Sequence, residues 1–371
     1  MKKIKTGIVG AGGMASYHYD GFTRAGAEVI ALADMDPNRA RAFGEGRDIR
    51  AFYQNLTEML AGSPELDAVS VITPNKFHKP LVIEALEKGK HVYCEKPPAL
   101  NALEMEEMLK ASKKAGKRLM FDFNNRARPE SQAMIRYIRE GRAGKINSAQ
   151  ASWIRRAGIP GFGGWFTTKA LSGGGAMIDL PHMLDLALYF MGYPEPDYIL
   201  GTAYYDFMDN KAFKGPWGIP DSAKGITDVE SACHAFVTFK TGQCLMIRSS
   251  WAELNERELV SVTFQGAKAG GKVERLFGID GIDATGTDRC FLFIEEYGNQ
   301  ANLEIKIEKD ESMGRIGNAS NFIYSIGGTA RALNTPEEAL ALMRIIDALY
   351  ESASTKKPVK IGREGGAGTL M

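Results

Sequence analysis

The sequence predicts a doubly wound parallel α/β domain over residues 1–124, followed by an α+β domain over residues 125–371 with an open, largely antiparallel sheet. Three observations carry this. Short apolar runs alternate with helix-length segments as far as residue 124. Beyond it, extended runs follow one another with few helices between them. A chain of 371 residues also exceeds what one ordinary core holds.

Taken in order, residues 4–9 form an apolar strand that runs straight into Gly10-Ala11-Gly12-Gly13-Met14-Ala15. A helix follows to Arg24, and residues 29–33 form the next strand, ending at Asp34. Further strands are expected at 68–72, 91–94 and 118–123. Asn101 caps one intervening helix, Glu104 completes a capping box and Gly116 closes it, with Leu103, Met108, Ala111 and Ala115 as its buried stripe. In the second domain a helix over 129–141 precedes strands at 148–154, 198–205, 231–239, 244–251, 259–264, 290–294 and 303–308. The last is drawn from the alternation of Leu303, Ile305 and Ile307 with charged residues. Residues 206–226 and 266–288 read as long loops, and 336–354 as an amphipathic helix that packs back toward the first domain.

Composition excludes several classes. Hydrophobic residues make up 44% and charged residues 25%, as in globular proteins. A net charge of +1 argues against a nucleic-acid partner, and no apolar run is long enough to suggest a membrane span. Cys94, Cys233, Cys244 and Cys290 are scattered, which fits reduced thiols in a cytoplasmic protein and offers no metal framework.

Gly10-x-Gly12-x-x-Ala15 matches the G-x-G-x-x-G/A fingerprint of a Rossmann domain. Gly10 makes the tight turn, Gly12 and Gly13 let a pyrophosphate approach, and Met14 begins a helix whose N-terminus faces that anion. Asp34 can accept hydrogen bonds from the adenosine ribose and would repel a 2′-phosphate, so NAD is the expected cofactor. The competing role for Asp34, capping the helix that starts at Pro37, suits Asp36 better. Two clusters follow later strands, Thr73-Pro74-Asn75-x-x-His78 and Glu95-Lys96-Pro97. Ligands of doubly wound sheets lie beyond the strands' carboxyl ends, so both clusters are expected to line the cofactor crevice.

This pattern resembles the glucose-fructose oxidoreductase/inositol dehydrogenase/rhizopine catabolism (Gfo/Idh/MocA) family along nearly the whole chain. Asn125-Arg126-x-x-Pro129 resembles the family's entry to its second domain. Gly173-Gly174-Gly175-x-x-x-Asp179 and His182-x-x-Asp185 resemble its catalytic helix. The resemblance implies a catalytic Lys96 beside the nicotinamide, a turn at Pro97 through a cis bond, and Asp179 and His182 completing the site. These residue types suit oxidation of a carbinol: His182 can take the hydroxyl proton, Lys96 can donate to the same oxygen or act as the base, and Asp179 can orient the substrate or His182. The family usually places three residues between this aspartate and histidine. Here there are two, and Pro181 puts Asp179 ahead of the helix that carries His182.

Arg126, Arg155 and Trp165 are further candidates for substrate contact, and Trp165 for covering the cofactor; its competing role is to fill a seam. Tyr204, Tyr205 and Trp217 could shape the pocket. Plain structural roles are expected for His234, Asp185, Asp228 and Glu230, and His18 and His91 have no partner in sequence that suggests chemistry. The resulting expectation is NAD-linked oxidation of a secondary hydroxyl on a sugar, a glycoside (C3 being one position) or a cyclitol. The alternatives are redox-neutral glycoside cleavage with retained NAD, and a non-catalytic NAD-binding regulator. The open sheet needs a cover, so a homo-oligomer is expected.

Overall fold

A computed structural model describes residues 3–216, 218–275 and 288–362. The chain forms two compact units. One holds the chain up to Ala127 plus Glu311–Leu340, and the other holds Arg128–Asp310 plus the chain from Ala341 onward. The sequence boundary at 124 therefore misses a returning segment.

The first unit carries strands β1 (Lys5–Val9), β2 (Glu28–Ala33), β3 (Ala51–Tyr53), β4 (Ala68–Val71), β5 (His91–Cys94) and β6 (Leu119–Phe121). They form one parallel sheet in the order β3-β2-β1-β4-β5-β6, the strand order of a Rossmann domain. Its register positions the site. Val9 pairs with Ala33 and Val71, Val71 with Cys94, and Cys94 with Phe121. Gly10, Asp34, Glu95 and Asp122 thus all leave the same edge of the sheet.

Helices α1 (Ala15–Arg24), α2 (Pro37–Gly44), α3 (Leu56–Gly62), α4 (His78–Glu87) and α5 (Ala102–Ala115) connect these strands. Asn101 caps α5 by accepting the Glu104 N–H at 2.9 Å, and Gly116 ends it at φ 61°. The buried stripe of α5 is Met105, Met108, Leu109 and Ser112, while Leu103 is 64% exposed. The correction follows from helical geometry. Positions 105, 108, 109 and 112 share one face, and Leu103 points nearly opposite to it.

Sequence reading missed the helix Arg315–Ile326, which returns to the first unit and packs on α1. A β-carbon on Gly21 would lie 2.4 Å from the Ala319 Cβ, so the two helices touch at backbone distance. Phe322 lies against Tyr93 and Phe22, with ring centroids 5.3 and 5.9 Å away.

The second unit is built on β7 (Ile146–Ile154), β8 (Pro196–Tyr204), β9 (Ala232–Phe239), β10 (Cys244–Ser250), β11 (Leu259–Gly266), β12 (Ala269–Arg275), β13 (Arg289–Glu296), β14 (Asn299–Glu304) and β15 (Val359–Lys360). These nine strands run in the order β14-β13-β12-β11-β7-β10-β9-β8-β15, and every pairing but β7–β10 is antiparallel. Helices α6 (Pro129–Arg139) and α9 (His182–Met191) cover one face, and every residue of α9 after His182 is buried. The short helices α7 (Lys169–Ser172) and α8 (Ala176–Asp179) precede α9; α10 is Arg315–Ile326, and α11 is Pro336–Thr355.

Two strand expectations are corrected. β12 lies in the stretch read as a loop, of which residues 276–287 fall outside the described residues. Gly270 and Gly271 disguise it, yet a side chain on Gly271 would collide with the Phe264 ring at 2.4 Å. β14 ends at Glu304 instead of spanning 303–308. Tyr297 (φ 53°) and Gly298 (φ 77°) form a two-residue hairpin turn that pairs Glu296 with Asn299 and so fixes the register.

Candidate active site

In the first unit, the chain turns at Gly10 with φ +98°, where a β-carbon would lie 2.1 Å from the Ile72 carbonyl oxygen. Only glycine fits there. Gly12 and Gly13 have nothing within 4 Å of an added β-carbon, and no side chain caps α1 at Met14. The turn is open, and the helix N-terminus faces that opening. Asp34 Oδ2 accepts the Ala11 N–H at 2.8 Å, and Oδ1 accepts the Asp36 N–H at 2.8 Å. Asp36, not Asp34, caps α2 by accepting from Asn38 and Arg39. Asp34 is thereby held beside the glycine turn, with Arg39 Nη1 3.7 Å away.

After β4, Thr73 Oγ1 is buried with no hydrogen-bond partner among the described residues, and Asn75 is buried beside it in sequence. His78 forms an internal clip. It is fully buried, with Nδ1 2.9 Å from the Pro97 carbonyl and Nε2 2.8 Å from that of Thr73, tying the two loops together. Burial pushes its pKa down, against the pull of those carbonyls and of Glu95.

After β5 the Lys96–Pro97 peptide is cis, as expected, and Lys96 is half-buried. The Glu95 carboxylate turns inward, Oε1 meeting His18 Nε2 at 3.0 Å and Oε2 accepting the Lys96 N–H at 3.1 Å. Arg126 is fully buried, and its Nη1 donates to the Leu333 carbonyl at 2.8 Å and to Glu338 at 2.6 Å. It braces the first unit and presents no surface to a substrate.

These residues fit NAD. An open glycine turn before an uncapped helix suits a diphosphate, an anchored carboxylate at the end of β2 suits a ribose, and the buried Thr73 hydroxyl awaits a polar group.

In the second unit, α8 ends at Asp179, Leu180 leaves helical geometry at φ −109° and ψ 43°, and Pro181 leads into His182. Asp179 therefore precedes the helix that carries His182, as the proline predicts. Asp179 Oδ2 accepts the Trp251 indole N–H at 2.8 Å. The His182 ring lies 5.2 Å from that of Trp153, and the Arg155 guanidinium sits over the same indole at 5.6 Å. Burial lowers the Arg155 pKa, opposed by the charges of Asp179 and Glu258. One carboxylate, one imidazole, one guanidinium and two indoles thus gather at the ends of β7 and β10. Neither tryptophan was foreseen, since nothing local in sequence links Trp153 or Trp251 to the glycine-rich segment.

Glu230 and Asp228 anchor backbone, as expected. Buried Glu230 accepts the N–H groups of Gly175 (2.9 Å) and Met177 (3.0 Å) and the Tyr350 hydroxyl (2.9 Å), fixing the start of α8. Asp228 accepts the Lys169 N–H at 2.7 Å. Asp185 is buried and takes the Tyr193 hydroxyl at 2.6 Å. His234 forms a half-exposed pair with Glu253 at 3.2 Å. Trp165 is half-buried and stacked on Phe166 at 3.7 Å, in a loop bound to residues 219–228 through Gly163–Thr227 and Thr168–Ile226 hydrogen bonds. Tyr205 is 63% exposed and Tyr204 43%, and Trp217 lies outside the described residues. His91 accepts the Arg118 N–H on Nδ1, and burial, aided by Lys117 and Arg118, lowers its pKa to about 4.

Both units define an NAD-binding oxidoreductase. Residues 4–123 match the oxidoreductase family with an NAD-binding Rossmann fold, and residues 131–272 match the GFO/IDH/MocA C-terminal domain. The chain belongs to the Gfo/Idh/MocA family. It is 30% identical over 362 residues to D-glucoside 3-dehydrogenase of Escherichia coli strain K12, covering 96% of this chain and 97% of that one. It is 27% identical to a putative UDP-kanosamine synthase oxidoreductase subunit of Amycolatopsis mediterranei, covering 89% and 90%. A solved levoglucosan dehydrogenase in complex with NADH and levoglucosan shares the fold at a TM-score of 0.83 and 18% identity, covering 98% of this chain and all of that one.

Proposed function

We propose that this chain oxidises a secondary hydroxyl of a sugar or glycoside with NAD, and that C3 of a glucoside is the first position to test. The observation that carries this is the end-to-end similarity to D-glucoside 3-dehydrogenase, on a chain that supplies both Lys96 and the Asp179–His182 pair. A bound NAD would supply the acceptor for the hydride that leaves the carbinol carbon. A ring nitrogen of His182 accepts the hydroxyl proton. The Lys96 ammonium donates a hydrogen bond to the same oxygen and stabilises the charge that grows there. Asp179, aligned by the Trp251 indole, orients a neighbouring hydroxyl. Trp153 and Arg155, beside His182, offer a ring-stacking surface and polar donors of the kind a pyranose requires. The products are a ketosugar, NADH and a proton.

The test is NADH formation at 340 nm with a panel of glucosides, free aldoses and inositols, with the keto product located by mass spectrometry. A 3-ketoglucoside is the expected product. NAD binding without turnover on every member of the panel would replace this reading with that of a regulator.

A further inference from the structure

A histidine that no motif singles out sits beneath the Glu95-Lys96-Pro97 turn. His18, on α1, has no exposed surface. Its Nε2 lies 3.0 Å from Glu95 Oε1, and its Nδ1 lies 2.7 Å from Ser70 Oγ. Asp122 Oδ2 is 3.8 Å from the same Nε2. Asp122 is itself held, its Oδ1 accepting from the Tyr93 hydroxyl at 2.8 Å and from Asn318 Nδ2 at 3.0 Å.

Two buried carboxylates facing one imidazole favour its protonated form. Burial opposes the charged ring, but the hydrogen bonds and charges of Asp122 and Glu95 outweigh it and raise the pKa to about 9. In that protonated form the ring donates one N–H to Glu95 and the other to Ser70. The second oxygen of Glu95 accepts the Lys96 backbone N–H at 3.1 Å. A continuous path therefore runs from α1, through one carboxylate, to the backbone of Lys96. A lysine stem is flexible, so the position of its ammonium depends on how firmly its Cα is held.

We propose that His18 is a positioning residue for the reaction: by gripping Glu95 it fixes the Lys96 backbone and so aims the Lys96 ammonium at the reacting hydroxyl. This rests on the catalytic reading of Lys96 given above. Its test uses two variants. His18→Leu removes both ring donors, and His18→Gln retains an N–H close to the Nε2 position. For each, turnover, NADH affinity by fluorescence titration and the acetylation rate of Lys96 by peptide mass spectrometry are measured, with Lys110 as internal reference. His18→Leu is expected to lower kcat by about 10- to 100-fold, with KM and NADH affinity moving less than about threefold. The Lys96 acetylation rate shifts relative to Lys110, and His18→Gln recovers most of kcat. Adding Glu95→Gln to His18→Leu costs little more, because both changes act along one path.

Losses that multiply in the double variant, or unchanged Lys96 acetylation, overturn the positioning role. If His18→Leu does not fold, His18→Asn, which keeps the Ser70 contact and lacks the reach to Glu95, takes its place in the same comparison. A wild-type protein that binds NADH but oxidises no sugar, glycoside or cyclitol defeats the functional reading instead. The acetylation of Lys96 still decides the role of His18.

Discussion

In the proposed reaction the Lys96 ammonium acts on charge that develops only as the reaction proceeds, so Lys96→Ala is expected to lower kcat by about 100-fold or more while NADH affinity stays within a few-fold. Steady-state kinetics together with a fluorescence titration check this. Asp34→Ala is expected to weaken NAD binding by about tenfold and to narrow the gap to NADP. It removes the carboxylate proposed to hold the ribose and releases Arg39, now 3.7 Å from that carboxylate; competitive titration of the two cofactors reads the change. His18 also sets a pH dependence of stability. Its folded pKa of about 9 lies above the ordinary 6.5, so its contribution is complete below pH 6.5 and is lost as pH rises through 9. That contribution is about 3 kcal/mol. The thermal midpoint of the wild type should fall over this window, and that of His18→Gln should fall less; equal slopes would show that another group is responsible. Features that are local were legible in the sequence, as with the turn at Gly10, the Asp36 cap and the cis Lys96–Pro97 bond. His18 was not, because its partners Ser70 and Glu95 lie 52 and 77 residues along the chain. Trp251 stands 72 residues from Asp179 and carries no local signature either.

Among the elements, the parallel strands were readable because buried strands are apolar throughout and their ends fall at turn residues. β3 escaped with only three residues, none of them fully buried. β14 was misplaced because the alternation of residues 303–308 outweighed the tight turn at Tyr297-Gly298, whereas hairpin geometry sets the register. α5 had correct ends and the wrong face, since Leu103 drew the stripe toward solvent. The start of α8 offers an element-scale test. A β-carbon on Gly175 would lie 1.9 Å from the Glu230 carbonyl oxygen, so the backbone must move to accept it. Gly175→Ala is expected to cost about 3 kcal/mol or more in a urea unfolding curve, and to lower kcat by displacing Asp179. An unchanged midpoint would mean that the segment has another low-energy path.

For the whole molecule, an exposed apolar row on the nine-stranded sheet is the feature to pursue. Leu200, Phe236 and Met246 stand directly across from one another on adjacent strands and are 50%, 44% and 42% exposed. A row of this kind on an open sheet is expected to be covered by another copy of the chain. Light scattering should give a multiple of the 40.6 kDa chain mass, and Phe236→Asp should shift it toward the single chain. A monomer at micromolar concentration would remove the expectation.

The returning helix α10 has a consequence for biosynthesis. The first unit takes its last piece from Glu311–Leu340, roughly 200 residues after Ala127. At ribosomal speeds of about 5–20 residues per second, that interval is about 10–40 s. Until Ala319 and Phe322 emerge, the groove on α1 around Gly21 and Phe22 lies bare in the nascent polypeptide, so the nucleotide-binding half, though translated first, is not completed first.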